Sequence, residues 1–247
     1  MSSQFEPLVI IPARMASSRL PGKPLAHVAG EPLIVHVWRS AVAAGLGPVA
    51  VACAEPEIAE AITAVGGKAV LTRPDHASGS DRVFEAAENL DPAGAHDVIV
   101  NLQGDMLARD ASFLGRILAP IEAGADIATL VKEMTDPAES ADPSVIKAAV
   151  SFAPGATVGR ALYFSRHQIP AGEGPLYHHI GVYAFRRAAL KRFVSLPHGP
   201  LETRERLEQL RALEAGMRID AALVDTEALD INTPAGLDQA RALIGGR

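Results

Sequence analysis

Short apolar runs alternate with longer amphipathic stretches along the first half of the chain. Leu8–Ile11, Val49–Ala52, Ala69–Leu71 and Val98–Asn101 are brief and rich in β-branched or small apolar residues, the signature of buried strands. Between them, Pro32–Ala44, Glu57–Val65 and Asp81–Asn89 repeat apolar positions at a helical period. This βαβ alternation predicts right-handed crossovers, a mostly parallel central sheet with helices on both faces, and ligands at the carboxyl ends of the strands. A further helix is expected over Ala111–Ile121, with Asp110 as its N-cap, then a strand over Asp126–Val131.

After Pro137 the pattern changes. Val145–Phe152, Ala161–Phe164 and Tyr177–Phe185 read as strands joined by loops, which predicts an inserted antiparallel portion over about 137–195. A helix over Thr203–Glu214 would put Leu207, Leu210 and Leu213 on one stripe, with Glu208 and Gln209 beside it at the rim of the core. A strand near Ile219–Val224 and a helix starting by Pro234 close the chain. Without repeats, low-complexity tracts or a linker, the 247 residues read as a single α/β domain, 1–247.

Composition adds exclusions. Apolar residues make up 48% and charged residues 21%, ordinary for a globular enzyme, whereas aromatic residues reach only 4%, so the core rests on Ala, Val, Leu and Ile. No run approaches the ~20 apolar residues that span a bilayer. The opening M-S-S-Q-F-E has no basic region followed by an apolar stretch, and the expectation is a cytoplasmic protein without membrane attachment. One cysteine, Cys53, excludes an internal disulfide or a multi-cysteine zinc site, and a buried strand position is expected for it. A net charge of −6 disfavours nucleic acid as a partner, because a phosphate backbone needs a basic surface.

The positive charge that matters is local. The first strand runs into I-I-P-A-R-M-A-S-S-R-L-P-G-K-P-L, Ile10 to Leu25, whose Arg14, Arg19 and Lys23 are punctuated by small residues that let backbone amides approach an anion. These three cations suit a triphosphate and its departing pyrophosphate, with Ser17 and Ser18 as hydroxyl donors. The competing view, a solvated basic loop, explains the charge and leaves the order of residues unexplained. Asp105 ends I-V-N-L-Q-G-D, Ile99 to Asp105: a carboxylate on a Gly turn after a buried strand projects into a cleft and suits a hard cation such as Mg²⁺, although turn statistics alone would make it a turn residue. The first turn lacks G-x-G-x-x-G, which argues against a dinucleotide oxidoreductase.

Six blocks in order resemble the 3-deoxy-manno-octulosonate cytidylyltransferases, or CMP-Kdo synthetases, among the sugar nucleotidyltransferases. They are the basic loop and I-V-N-L-Q-G-D, together with T-R-P-D-H-A-S-G-S-D-R (Thr72 to Arg82), A-L-Y-F-S-R (Ala161 to Arg166), H-I-G-V-Y-A-F-R (His179 to Arg186) and L-E-Q-L-R-A-L (Leu207 to Leu213). One block would carry little weight; six spanning the chain carry much more. The resemblance implies a Rossmann-like nucleotidyltransferase domain, a homodimer built through the antiparallel portion, and transfer of CMP from CTP to an acidic sugar for lipopolysaccharide, with Mg²⁺. It implies a CTP site from Ala13, Arg14, Ser17, Ser18, Lys23, Arg73, Ser78, Gly79 and Gln103, with Arg73, Ser78 and Gly79 on the cytosine and ribose side; read bare, that last block is a polar loop capped into its helix by Ser80. It places the sugar among Arg19, Gln103, His179, Tyr183, Glu208 and Gln209, where a lone His179 or Tyr183 would otherwise pass for a structural residue. Catalysis would fall to Arg14, Arg19, Lys23 and Asp105.

Three departures from the family pattern stand out. Q-G-D-M-L replaces Q-G-D-E-P, so Met106 stands for an acid; I-N-T-P replaces V-D-T-P, so Asn232 stands for a metal-ligating Asp, with Asp230 two residues earlier able to share its face; and V-A-C-A-E replaces V-A-T-D, with Cys53 and Ala54 for Thr and Asp. These leave open a cytidylyltransferase for another acidic sugar, or a catalytically weak nucleotide-binding homologue.

Overall fold

A computed structural model describes residues 5–16, 20–108, 110–226 and 228–245. Ser17, Ser18 and Arg19 lie outside the described residues. The chain forms two compact units, 1–115 with 226–247, and 116–225.

In the first unit the order is β1 (Pro7–Ala13), β2 (His27–Val28), β3 (Glu31–Pro32), α1 (Leu33–Ala43), β4 (Val49–Cys53), α2 (Pro56–Thr63), β5 (Lys68–Leu71), α3 (Gly79–Leu90), β6 (Val98–Asn101) and β7 (Met106–Leu107). Its main strands run parallel in the order β5-β4-β1-β6, as the βαβ alternation requires. Every residue of β1 and β6 is buried, so β1 and the Val98–Val100 part of β6 read as continuous apolar runs instead of alternating ones.

The second unit holds α4 (Leu118–Glu122), β8 (Ile127–Glu133), α5 (Pro137–Ala141), β9 (Lys147–Ser151), β10 (Val158–Ser165), β11 (Tyr177–Arg186), α6 (Arg187–Ser195), α7 (Pro200–Glu205), α8 (Gln209–Glu214) and β12 (Ile219–Leu223). Here β11 pairs antiparallel with β8 and β9, β10 antiparallel with β9 and β12, and only β12 with β8 is parallel. The sheet is therefore mixed, and the antiparallel pairing reaches beyond 137–195 to recruit β8 and β12. The chain then returns to the first unit with β13 (Leu229–Asp230), which pairs antiparallel with β7, and α9 (Pro234–Gly245).

Three expectations about helices change. The stretch after Asp110 is a 3₁₀ run, Ser112–Ile117, and only Leu118–Glu122 is α-helical. The helix expected over Thr203–Glu214 is two short helices, because Arg206 takes a left-handed conformation at φ 57° and ends α7. The cap of α3 is Ser78, not Ser80: the Ser78 hydroxyl accepts from Asp81 N–H at 3.2 Å while Ser78 N–H donates to the Asp81 carboxylate at 3.1 Å, and the helix starts two residues early.

Candidate active site

The carboxyl ends of β1 and β6 open into a cleft of about 420 Å³ lined by Pro12, Ala13, Arg14, Lys23, Ser78, Gly79, Arg82, Gln103 and Asp105, among others. Its walls are held by backbone geometry. Leu102 N–H donates to Ile10 C=O at 3.1 Å, drawing the turn after β6 against β1. Gly104 is required there, since a Cβ would come within 2.7 Å of Pro12 C=O. The basic loop is closed at its base by Gly22 N–H donating to Met15 C=O at 3.1 Å, with Gly22 left-handed at φ 71°. This places Lys23 at the start of a 3₁₀ turn.

The Lys23 ammonium pairs with the Asp105 carboxylate and reaches Asn232 Oδ1 at 3.2 Å. The β7–β13 ladder explains why a residue 127 positions later lies here: Asp230 stands opposite Met106, and Ile231 N–H donates to Asp105 C=O at 3.0 Å. Ile231 is buried, so Asp230 and Asn232 point to the other side of the extended segment. The Asp230 carboxyl is pushed up to about 7 by desolvation and by the like charge of Asp105, with Lys23 opposing. Met106 is buried in the ladder and offers no ligand.

Two carboxylates and an amide oxygen form a hard donor set. No group of three or more His, Cys, Asp and Glu converges among the described residues. Mg²⁺ needs no such group, since it binds through one or two carboxylates and completes its shell with water and phosphate oxygens. The residues present therefore fit that ion.

The other nucleotide-side residues divide. Ala13, Arg14, Ser78, Gly79 and Gln103 line the cleft. The Ser78 hydroxyl is already engaged, donating to the Asp81 carboxylate at 2.9 Å. Gln103 Nε2 donates to the buried Asn101 Oδ1 at 3.0 Å, which fixes its amide. Arg73 is placed off the cleft lining: its side chain is 69% exposed and pairs with Glu85 at 3.4 Å. Arg82, nine residues on and missed in the sequence, lines the cleft instead and is 2% exposed. Glu55 was also missed; it accepts from Met15 N–H at 3.0 Å and so holds the entry of the basic loop. Cys53 is buried at the end of β4, where burial first and Glu55 second push its thiol up to about 11.

In the second unit the structure brings His179, Tyr183, Glu208 and Gln209 together. The His179 and Tyr183 rings lie 5.4 Å apart, and Tyr183, Glu208 and Gln209 line one small pocket with Ile127, Phe185 and Phe193. Burial pushes the His179 imidazole down to about 3, with His178 adding to it, so the ring is neutral. Thr129 Oγ1 donates to Val182 C=O at 2.9 Å and lies 3.0 Å from His179 Nε2. A hydroxyl has one proton to give, so Nε2 is the donor of that pair and Nδ1 is a bare acceptor. Nδ1 is buried without a partner among the described residues, as is the donor Gln209 Nε2. Burial, then the Glu208 carboxylate, raises the Tyr183 phenol well above its ordinary range, so it too stays neutral.

Comparisons with known proteins identify the family. The Cytidylyltransferase family matches residues 8–219. The 3-deoxy-manno-octulosonate cytidylyltransferase of Paramagnetospirillum magneticum is 59% identical over 243 residues, 98% of this chain and 99% of the relative. That of Rhodospirillum rubrum is 59% identical over 241 residues, 97% and 96% of the two chains. Among solved structures, a CMP:2-keto-3-deoxy-manno-octonic acid synthetase complexed with CTP superposes with a TM-score of 0.88 at 37% identity, covering 98% of this chain and 99% of that one. A UTP-bound UGPase from Acinetobacter baumannii, at 16% identity and a TM-score of 0.70, shares the fold. The chain belongs to the cytidylyltransferase family and, within it, to the 3-deoxy-manno-octulosonate cytidylyltransferases.

Proposed function

We propose that this protein transfers CMP from CTP to 3-deoxy-manno-octulosonate, releasing pyrophosphate, as a Mg²⁺-dependent cytoplasmic homodimer that supplies lipopolysaccharide synthesis. The observation that carries the reading is the cleft floor, where Lys23, Asp105, Asp230 and Asn232 meet beside Arg14 at the carboxyl edge of a parallel sheet. The anomeric hydroxyl oxygen of the sugar attacks the α-phosphorus, the bond from that phosphorus to the bridging oxygen breaks, and pyrophosphate leaves with the electron pair; the hydroxyl proton passes to water. Arg14 and Lys23 neutralise the leaving pyrophosphate, the charge stabilisation that dominates in such transfers. Asp105, Asp230 and the Asn232 oxygen would hold Mg²⁺. When bound, the ion would withdraw charge from the phosphate oxygens and lower the pKa of the attacking hydroxyl.

Two orphaned atoms of the second unit support a polyhydroxy acid as acceptor. His179 Nδ1 accepts from a hydroxyl, and Gln209 Nε2 donates to a carboxylate or hydroxyl oxygen; ligand binding relieves both. The homodimer is supported by the family resemblance and by Leu162, which stands 60% exposed on β10. The cytoplasmic assignment is in keeping with a single buried cysteine and with the absence, among the described residues, of a helix long and apolar enough to cross a membrane.

The test is pyrophosphate release with each of the four NTPs in Mg²⁺, with and without the sugar, with the product mass checked. Sugar-dependent release with CTP is expected. Release with another NTP in its place overturns the CTP assignment, release only with a different acidic sugar overturns the acceptor, and no release from folded protein overturns the activity.

A further inference from the structure

We propose that Thr129 is a positioning residue that decides what the sugar site can accept: by holding His179 with its proton on Nε2 it keeps Nδ1 a bare acceptor, so the substrate must bring a hydrogen-bond donor to that point. The proposal rests on the sugar-activating reading above and deepens it, from which residues meet the acceptor to what sets their chemistry.

The device begins with an irregular strand. Along β11, Ile180 stands opposite Leu130 and Tyr183 opposite Thr129, so Gly181 and Val182 are extra residues that β8 does not match. A bulge takes carbonyls out of the ladder, and buried carbonyls need donors. Thr129, fully buried on β8, supplies one: its Oγ1 lies 2.9 Å from Val182 C=O and 3.3 Å from Ile180 C=O. The same oxygen lies 3.0 Å from His179 Nε2. Three neighbours therefore compete for one hydroxyl proton. Were it given to the ring, the oxygen would face two carbonyl oxygens with no hydrogen between them; given to the bulge, the oxygen keeps a lone pair for the Nε2 hydrogen. The bulge thus sets the tautomer, through Thr129.

The imidazole is held from other sides as well. Phe164 meets it edge-on at 5.0 Å between ring centroids, Tyr183 lies at 5.4 Å, and His179 N–H donates to Ile146 C=O, just before β9, at 2.8 Å. Burial keeps the ring neutral, so it does not donate from both nitrogens. A histidine retained for packing alone would have both nitrogens paired, as buried polar atoms nearly always are. Here one edge is anchored on Thr129 while Nδ1 has no partner among the described residues. The bare acceptor sits on a ring packed beside Tyr183, which lines the pocket of Glu208 and Gln209.

The experiment compares wild type, Thr129→Val and Thr129→Ser in pyrophosphate release, varying CTP and 3-deoxy-manno-octulosonate separately, and reads the His179 tautomer from its imidazole ¹⁵N resonances, assigned by their loss in His179→Gln. In wild type the proton is expected on Nε2, with the Nδ1 resonance moving when sugar is added. Thr129→Val should raise KM for the sugar about tenfold, the scale of one lost hydrogen bond, leave KM for CTP unchanged and no longer confine the proton to Nε2; Thr129→Ser, which keeps the hydroxyl, should restore all three. A wild-type proton on Nδ1, a proton that stays on Nε2 in Thr129→Val, or KM values for sugar and CTP that rise together overturns the proposal. Should Thr129→Val not fold, the wild-type spectrum decides: a proton on Nε2 and a sugar-dependent shift at Nδ1 support the proposal, and either one missing overturns it. Wild type that turns over no acidic sugar overturns the reading beneath the proposal, whereas wild type that turns over the sugar while Thr129→Val does so with unchanged KM overturns the role of Thr129 alone.

Discussion

Ile231 donates its backbone N–H to the carbonyl of Asp105 at 3.0 Å, and this bond fixes which later residues reach the cleft floor. With Ile231 pointing into the core, its neighbours Asp230 and Asn232 share the face on which Lys23 and Asp105 already sit. The amide of Asn232 therefore has a carboxylate two residues away on the same face.

Asn232→Asp adds a charge to a hard-oxygen site, and a divalent cation gains more from a carboxylate than from an amide oxygen. The expected outcome is a fall of about tenfold in the Mg²⁺ concentration giving half-maximal turnover, an interaction gain of roughly 1.4 kcal/mol. Asp230→Asn should move it the other way. Titrating Mg²⁺ against pyrophosphate release checks both, and a curve unchanged in the Asn232 variant would remove that position from the metal site. Chelation with EDTA should abolish turnover, with recovery on adding Mg²⁺.

Lys23→Met removes the ammonium that pairs with Asp105 and that, in the proposed reaction, neutralises the leaving pyrophosphate. A charge-assisted contact to a departing pyrophosphate acts mostly in the transition state, so kcat should fall by about 10²-fold or more with a smaller change in KM. Steady-state kinetics at saturating Mg²⁺ separates the two. A loss confined to KM would make Lys23 a binding residue only.

Much of this floor was legible along the chain. The strand–loop order around Arg14 and Lys23 and the Gly turn before Asp105 are local signals, and β1, β4, β5 and β6 appear within two residues of where their apolar runs lie. The helices α5 and α6 were not foreseen, and Arg206, which breaks the helix expected over Thr203–Glu214, shows why local pattern is insufficient: a left-handed arginine is chosen by tertiary context against propensity. Arg82 was missed for a related reason. Its block contains a second arginine, Arg73, equally basic in the sequence, and only packing decides that one is buried against Thr72 while the other is turned to solvent beside Glu85. Spacing likewise could not reveal that Thr129 sets the tautomer of His179, because the two meet through strand pairing across 50 positions.

Glu202 and Arg211 form a buried ion pair, 2.5 Å and 2.8 Å between donors and carboxylate oxygens, with the guanidinium carbon 5.0 Å from the centre of the Phe193 ring. Burial pushes the Glu202 carboxyl up, but hydrogen bonds from Arg211, His198 and Gly199 N–H outweigh it and leave the group below its ordinary 4.5. Its contribution to stability is therefore complete above pH 4.5 and is lost as pH falls through the depressed native value. Glu202→Gln leaves Arg211 buried without its counter-charge and should cost about 3–5 kcal/mol at neutral pH. Chemical denaturation at pH 7 and below pH 4 checks this: the gap between wild type and variant should narrow in acid, and a constant gap would show that the charge is not what matters.

His179 gives a pH dependence of opposite origin. Its native value near 3 lies below the ordinary 6.5, so as pH falls through 6.5 the unfolded chain takes up a proton that the native protein refuses. The native state should lose stability from pH 6.5 downward, by about 1.4 kcal/mol per unit until the native value is reached, or roughly 2 kcal/mol by pH 5. His179→Gln removes this titration. Denaturation curves at pH 7.5 and pH 5 should show wild type losing roughly 2 kcal/mol more than the variant over that interval. Equal losses would mean that the imidazole is protonated in the native protein at pH 5, against the neutral ring that its burial favours.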